Sequence, residues 1–387
     1  MTSIDIKTGV KIICRLRSFL LFCRLNLSIL IQMKKIMVLS MAAMLMLGCT
    51  KRETNSNSKN YLPETPKLAS DIMTPEVLWS FGRLGEAQVS PDGETVIYTV
   101  TYYNIEENKS YRDIYSIPVS GGEQKNLTNS AENESNVVWR PDGKKIAFLS
   151  SASGSVQMWE MDPDGTKATQ ITNIDGGISG FGYSPDQSKI FYLKSVKLDE
   201  SVNDLFPDLP KANARLENDI MYRHWDSWHD YTYNHVFVAD YEKGKIGNVK
   251  DIMEGEHFDS PMKPFGGNEQ IAWSPDGKTL AYTCKKKVGK EYAVSTNSDI
   301  YLYNVETGQT INFTSGMMGY DQNPVFSPDG TKLAWESMER DGYEADKVRL
   351  FVADLSTGEK KNYSEDFDQN ATGLNWSADG KSIYFIS

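Results

Sequence analysis

The sequence predicts an all-β protein, a β-propeller of four-stranded blades in which five blades are complete and a sixth is begun. Three observations lead there. One hairpin pattern recurs at VSPDGETVIY (89–98), WRPDGKKIAF (139–148), YSPDQSKIFY (183–192), WSPDGKTLAY (273–282), FSPDGTKLAW (326–335) and WSADGKSIYF (376–385). A third and a fourth apolar segment follow each of the first five copies. The whole unit repeats at roughly 45–50 residues, the period of a propeller blade. The turn has a mechanism: Pro sets φ at the second position, Asp accepts from the backbone two residues on, and Gly takes a positive φ. A β-sandwich would not repeat its turn chemistry at this period.

The blades follow in order. Their third strands are read in DIYSIPVSGG (113–122), MWEMDPDG (158–165), HVFVADYEKG (235–244), DIYLYNVETG (299–308) and RLFVADLSTG (349–358). Their fourth strands are read in EQKNLTN (123–129), KATQITN (167–173), KIGNVKD (245–251), QTINFTS (309–315) and EKKNYSE (359–365). The hairpin serines or their equivalents stand at 90, 140, 184, 274, 327 and 377, at intervals of 50, 44, 90, 53 and 50. The long interval contains one third strand and one fourth strand, so it is read as a single enlarged blade with an insertion at about 196–232. The sequence stops at Ser387, after the second strand of a sheet, and is read as a truncated propeller from something longer.

Ahead of the propeller, residues 1–32 read as an upstream extension. From Met33, MKKIMVLSMAAMLMLG carries two lysines and an apolar stretch too short to span a bilayer, the form of an export signal. Gly48 directly before Cys49 resembles a lipobox, so 33–48 is expected to be a lipoprotein-type signal peptide and Cys49 the lipidated residue. Residues 49–72 are polar and read as a tether, leaving 73–387 for the propeller. The expected location is outside the cytoplasm, lipid-anchored to the bacterial envelope facing the periplasm, or soluble in the periplasm.

Composition excludes several classes. The chain of 387 residues is 40% hydrophobic and 24% charged, enough for a real core, with a net charge of −11 that disfavours nucleic acid as a partner. Three of the four cysteines fall in the first fifty residues, which leaves Cys284 alone in the folded part, without a disulfide framework and read as a small packed residue. No cofactor is expected.

The insertion contains most of YRHWDSWHDYTYNH (222–235), a passage with three of the chain's four histidines. As a metal site, His224, His229 and His235 are poorly placed, because the spacing of five between the first two turns their rings apart on a helix. A second reading packs Trp225, Trp228 and the tyrosines onto the blade. A third presents aromatic walls and charged groups to a ligand, since loops carry function and Arg with aromatics suits recognition.

The stretch TPEVLWSFGRLGEAQVSPDG (74–93), the blade hairpins, and above all RHWDSW (223–228) followed by HVFV (235–238) resemble the propeller of the prolyl oligopeptidase family, in its exported bacterial dipeptidyl-peptidase and acylaminoacyl-peptidase branch. The resemblance implies a propeller capping an α/β-hydrolase domain with a Ser, Asp, His triad, and short peptides as substrates. It also implies propeller side chains that hold a substrate's amino terminus; Glu217, Asp219 and Asp226 are candidates by chemistry, with Arg223, His224, Trp225 and Trp228 beside them. The sequence has no G-x-S-x-G nucleophile elbow; GISGFG (177–182) comes nearest, but Phe181 stands where the last glycine belongs. The hydrolase domain is therefore read as missing, no catalytic residue is assigned, and the chain alone is expected to be inactive. The competing reading is a non-catalytic periplasmic propeller that binds a protein partner.

Overall fold

The structure is a computed structural model that describes residues 61–64, 67–68 and 70–387, together with the backbone of Thr2–Asp5. The signal segment 33–48 and Cys49 lie outside the described residues, as does part of the tether. Among the described residues no helix is long and apolar enough to cross a membrane.

Nearly all of the regular structure is antiparallel sheet. Five four-stranded sheets run in simple sequential order, and a sixth holds Thr372–Trp376 and Ser382–Ile386. These are the expected five blades and the start of another. In the sixth sheet the third position is taken by Thr2–Asp5, which pairs antiparallel with Ser382–Ile386. The reading of 1–32 as an extension did not foresee a strand there.

The turn chemistry works as the residue types predict. The serine hydroxyl hydrogen-bonds the aspartate two residues on, at 2.5 Å for Ser90 and Asp92, 2.6 Å for Ser274 and Asp276, and 2.6 Å for Ser327 and Asp329. The same hydroxyl accepts from the backbone N–H five residues on, 2.9 Å from Thr279 and from Lys332. Gly277 and Gly330 hold φ near 70°, the left-handed region that glycine enters without a steric cost. In the second blade Arg140 replaces the serine and keeps the aspartate by an Nε bond of 2.9 Å to Asp142.

The described residues form two compact units, one ending at Gly177 and the other running from Ile178 to Ser387. In the first, blades 1 (Arg83–Asn126) and 2 (Ser135–Gln170) share a core of Ile97, Ile114, Trp139, Ile146, Phe148 and Met161. In the second, blades 3 (Gly180–Asp251) and 4 (Ile271–Asn312) enclose Phe191, Val236, Leu280, Tyr282 and Cys284, and blade 5 (Asp321–Asn362) adds Leu333 and Trp335. The second and third strands supply most of these side chains because they have neighbours on both edges and both faces.

Blade 3 differs in the link between its second and third strands. Lys189–Lys197 and Thr232–Glu242 pair antiparallel and close on the pair Lys197 and Thr232. Between them, 198–231 makes one four-residue helix, Val202–Leu205, and a hairpin of two residues per strand, Arg223–His224 against Ser227–Trp228. It is an excursion from one blade and not a further blade.

Candidate functional site

The insertion and the loops beside it, all in the unit 178–387, enclose a cavity of about 790 Å³. Its walls come from three links of the chain: the insertion, the loop after Lys245–Asp251, and the short helix Gly289–Val294 in blade 4. The volume suits a small ligand or a few residues of peptide. A second hollow of about 490 Å³ lies against Trp225, Asp226, Pro264 and Phe265.

The wall is acidic. Asp199, Glu200, Glu217, Asp219, Asp230 and Asp259 line the cavity against two lysines, Lys263 and Lys287. Both lysines are already engaged: Lys263 pairs with Asp230 and Asp259 at 3.5 Å each, and Lys287 with Glu291 at 2.9 Å. Glu217 is tied to Arg215 Nε at 2.9 Å. Glu200 and Asp219 form no ion pair among the described residues. Asp219 Oδ1 accepts from the Ile220 N–H at 2.8 Å, and a Cβ on Gly289 would stand 2.5 Å from its other oxygen. Only glycine, here at φ +56°, lets blade 4 come this close to that carboxylate.

The aromatic residues form the opposite character of the site. Arg215 stacks on Trp228 and Tyr231, at 5.4 and 5.2 Å to the ring centres, and also hydrogen-bonds the His229 carbonyl. Arg223 also lies over Trp228, at 5.7 Å to the ring centre. Two cations on one indole, with Tyr222 stacked on it at 6.1 Å, fix the hairpin through its rings where regular structure is absent. Trp225 occupies the hairpin turn at φ +54°, 71% exposed, and meets the 75% exposed Phe265 edge-on at 5.2 Å. A bulky residue in that backbone region costs about 1 kcal/mol or more.

The residues singled out from sequence therefore separate. Glu217, Asp219, His224 and Trp228 line the large cavity; Trp225 and Asp226 line the second hollow, where His224 also reaches; Arg223 supports Trp228. Burial pushes the His224 imidazole below its ordinary range, and the charge of Lys285 adds to this.

The three histidines do not share a site. His235 is fully buried in blade 3, with Nδ1 donating to Asp251 at 2.7 Å and Nε2 to the Glu256 carbonyl at 2.8 Å. Burial opposes its charge, but these two acceptors outweigh it and raise its pKa. His229 instead joins Asp199 at 3.2 Å, and Asp199 also accepts from the Tyr233 hydroxyl at 2.7 Å and lies 3.0 Å from His257 Nδ1. Arg215, Asp199 and His257 went unnoticed in the sequence because they stand outside the aromatic motif; the fourth histidine of the chain was the one available signal. Among the described residues no group of three or more His, Cys, Asp or Glu side chains is arranged to hold a metal ion.

Comparison with known proteins follows the same lines. The TolB beta propeller domain family matches residues 74–214. The dipeptidyl-peptidase 5 of Porphyromonas gingivalis is 46% identical over 325 residues, 84% of this chain and 47% of that protein. The dipeptidyl-peptidase 5 of Aspergillus fumigatus is 29% identical over 342 residues, 80% of this chain and 46% of that protein. Among solved structures, an acylaminoacyl peptidase in complex with Z-Gly-Gly-Phe-chloromethyl ketone has a TM-score of 0.57 at 17% identity, covering 77% of this chain and 42% of its own. The propeller domain of the Trilobed protease from Pyrococcus furiosus has a TM-score of 0.50 at 16% identity, covering 79% and 77%. At these identities the solved structures establish the fold, a β-propeller. The chain spans about half the length of the curated relatives it matches. The likeness read from RHWDSW and the hairpins, to the propeller part of the prolyl oligopeptidase family in its dipeptidyl-peptidase and acylaminoacyl-peptidase branch, is the one these comparisons find.

Proposed function

We propose that residues 73–387 are the substrate-gating propeller of a serine exopeptidase that cleaves short peptides, and that the chain by itself is inactive. The observation that carries this reading is the acidic cavity beside RHWDSW, in a chain whose relatives are named as dipeptidyl-peptidases. A peptide's free amino terminus is a cation, and a carboxylate without a cation of its own is the group to receive it. Asp219 and Glu200 meet that description; Glu217 is occupied by Arg215 and acts as support. The aromatic faces of Trp228 and Tyr222 give the peptide an apolar wall. An acidic cavity favours release of dipeptides from a free terminus over removal of acylated residues, which carry no charge there.

Hydrolysis requires a nucleophile, an oriented base and an oxyanion site, and those are assigned to a hydrolase domain beyond this sequence. Two measurements test the reading. The purified chain should not turn over aminoacyl-naphthylamide or dipeptidyl-nitroanilide substrates, and turnover would refute the division of labour. The frame downstream of the Ser387 codon should run on into a G-x-S-x-G nucleophile elbow; a stop codon would favour the second reading, a non-catalytic propeller that binds a protein partner.

We also propose export and anchoring through a lipid on Cys49. The support is the basic and apolar run from Met33 to Gly48. Labelling with an alkynyl fatty acid should mark the wild type and not Cys49→Ser; an unlabelled, fully soluble wild type would contradict it.

A further inference from the structure

We propose that the hollow between Trp225 and Phe265 is a second peptide subsite, an aromatic slot that takes an apolar side chain downstream of the residues held in the acidic cavity. The inference rests on the reading of that cavity as a peptide site and adds to it a residue preference further along the peptide.

Trp225 stands where a tryptophan is sterically disfavoured. The hairpin of Arg223–His224 against Ser227–Trp228 leaves two residues, Trp225 and Asp226, to make its turn. Trp225 takes the first of these positions at φ +54°. Glycine enters that backbone region freely in such turns, whereas a bulky side chain enters it at a cost of about 1 kcal/mol or more. Burial of the ring would offset the cost, but the residue is 71% exposed. Strain kept for an exposed indole indicates a role at the surface and not in packing.

Phe265 is presented from a braced loop. Gln270 is buried, and its Oε1 accepts from the Met262 N–H at 2.8 Å; the Gly266 N–H donates to the Met262 carbonyl at 2.8 Å. A Cβ on Gly266 would stand 2.6 Å from each of those two oxygens, so only glycine lets the loop turn this tightly. The turn leaves Phe265 75% exposed and edge-on to Trp225, the ring centres 5.2 Å apart and the planes at 81°. With Pro264 beside them, the two rings wall a hollow of about 490 Å³. Walls that are set before a ligand arrives lose little entropy when it binds.

Continuity with the acidic cavity identifies the occupant. His224, Ser227 and Pro264 line both hollows, and His224 and Ser227 are the pair that closes the hairpin turn. The hairpin is thus a partition between an acidic chamber and an apolar one. An extended peptide advances about 3.3 Å per residue, so a cavity of about 790 Å³ is crossed in roughly three or four residues. The slot then meets the third, fourth or fifth side chain of a peptide whose amino terminus lies in the cavity. Its rings suit an aliphatic or aromatic side chain. Asp226, which also lines the slot and accepts from the Ser227 hydroxyl at 3.2 Å, disfavours an acidic one.

The test is calorimetric titration of the full chain with pentapeptide amides that keep a free amino terminus, on a glycine and serine background, with leucine at the third, fourth or fifth position. One of the three should bind about tenfold more tightly than the peptide without leucine, the lower end of what burying that side chain supplies. Trp225→Gly removes the ring and suits the backbone, and Phe265→Ala removes its partner. Each should bring the ratio to within about twofold and leave the affinity of the leucine-free peptide unchanged. Trp225→Gly should also melt within about 2 °C of wild type, as a packing residue would not. The same peptides with acetylated termini separate the two claims. If acetylation changes nothing and the leucine ratio persists, the reading of the cavity as an amine site fails and the slot stands; if acetylation weakens binding and leucine adds nothing, that reading stands and the slot is overturned. A leucine ratio that survives both substitutions, a failure of every peptide to bind, or a Trp225-dependent association of the chain with itself that no peptide displaces would each overturn the slot as well.

Discussion

The hairpins of blades 4 and 5 and the blade 3 insertion lie in the same unit and are built in opposite ways. Each hairpin is local: a serine, an aspartate and a glycine within five residues satisfy one another, and the strands they join bury apolar side chains on both faces. The insertion is held from a distance, by Arg215 stacked on Trp228 and Tyr231 and by Asp199 gathering Tyr233, His229 and His257. Burial makes the blades stable; polar and cationic ties on a partly exposed wall leave the insertion adaptable and chemically available. Loss of a blade residue should therefore be felt in folding, and loss of an insertion residue in what the cavity does.

The largest expected effect lies in the blades. Trp335 is fully buried among Ala281, Leu333 and Ala353, and its Nε1 donates to Asp321 at 3.0 Å. Trp335→Ala should lower unfolding free energy by about 3–5 kcal/mol in denaturant melts, whereas Arg215→Ala should change it by about 1 kcal/mol or less while abolishing the protection of 222–231 from exchange. Comparable losses from the two substitutions would erase the distinction between the regions.

A pair of pH measurements sharpens it. Burial pushes Glu134 and Asp321 up to about 7 each, against hydrogen bonds from Ser130 and Ser337 that pull them down. In an unfolded chain such groups titrate near 4. Folding then binds protons between the two values, so the stabilising contribution is complete below about pH 4, is lost as pH rises toward 7, and is level above. Urea melts should show up to roughly 5 kcal/mol less stability at pH 8 than at pH 5 for this pair together, and Glu134→Gln should flatten part of that slope.

Two glycines make a smaller contrast. Gly330→Ala should cost about 1–2 kcal/mol of stability, because φ of 70° at that turn admits a side chain poorly. Gly289→Ala, where the new Cβ would press to 2.5 Å from Asp219, should cost a similar amount or less in melting but displace the carboxylate and weaken ligand capture.

The two regions also differ in how much their residues disclose before folding. Six copies of one turn, with their third and fourth strands, are periodic and local, so the blades and the single enlarged one among them are readable from spacing. The insertion has no period. RHWDSW marks its place and supplies Trp228 and His224 to the cavity, but His235 looks equivalent to its neighbours in sequence and goes into the core, because its strand turns it inward toward Asp251. Arg215, Asp199 and His257 acquire their roles only when the closed base of the insertion brings residues together that are up to 58 positions apart, 199 to 257. Asp219 is a candidate by charge alone until Gly289 is seen against it.

The most direct test of the functional account is calorimetric titration of the full chain with a dipeptide amide, once with a free amino terminus and once with that terminus acetylated. The free form should bind, the acetylated form should bind at least tenfold more weakly, on the order of one lost charge-assisted contact, and Asp219→Asn should remove the difference. Equal binding of both forms, or no binding of the free form, would contradict an acidic cavity built to receive the start of a peptide.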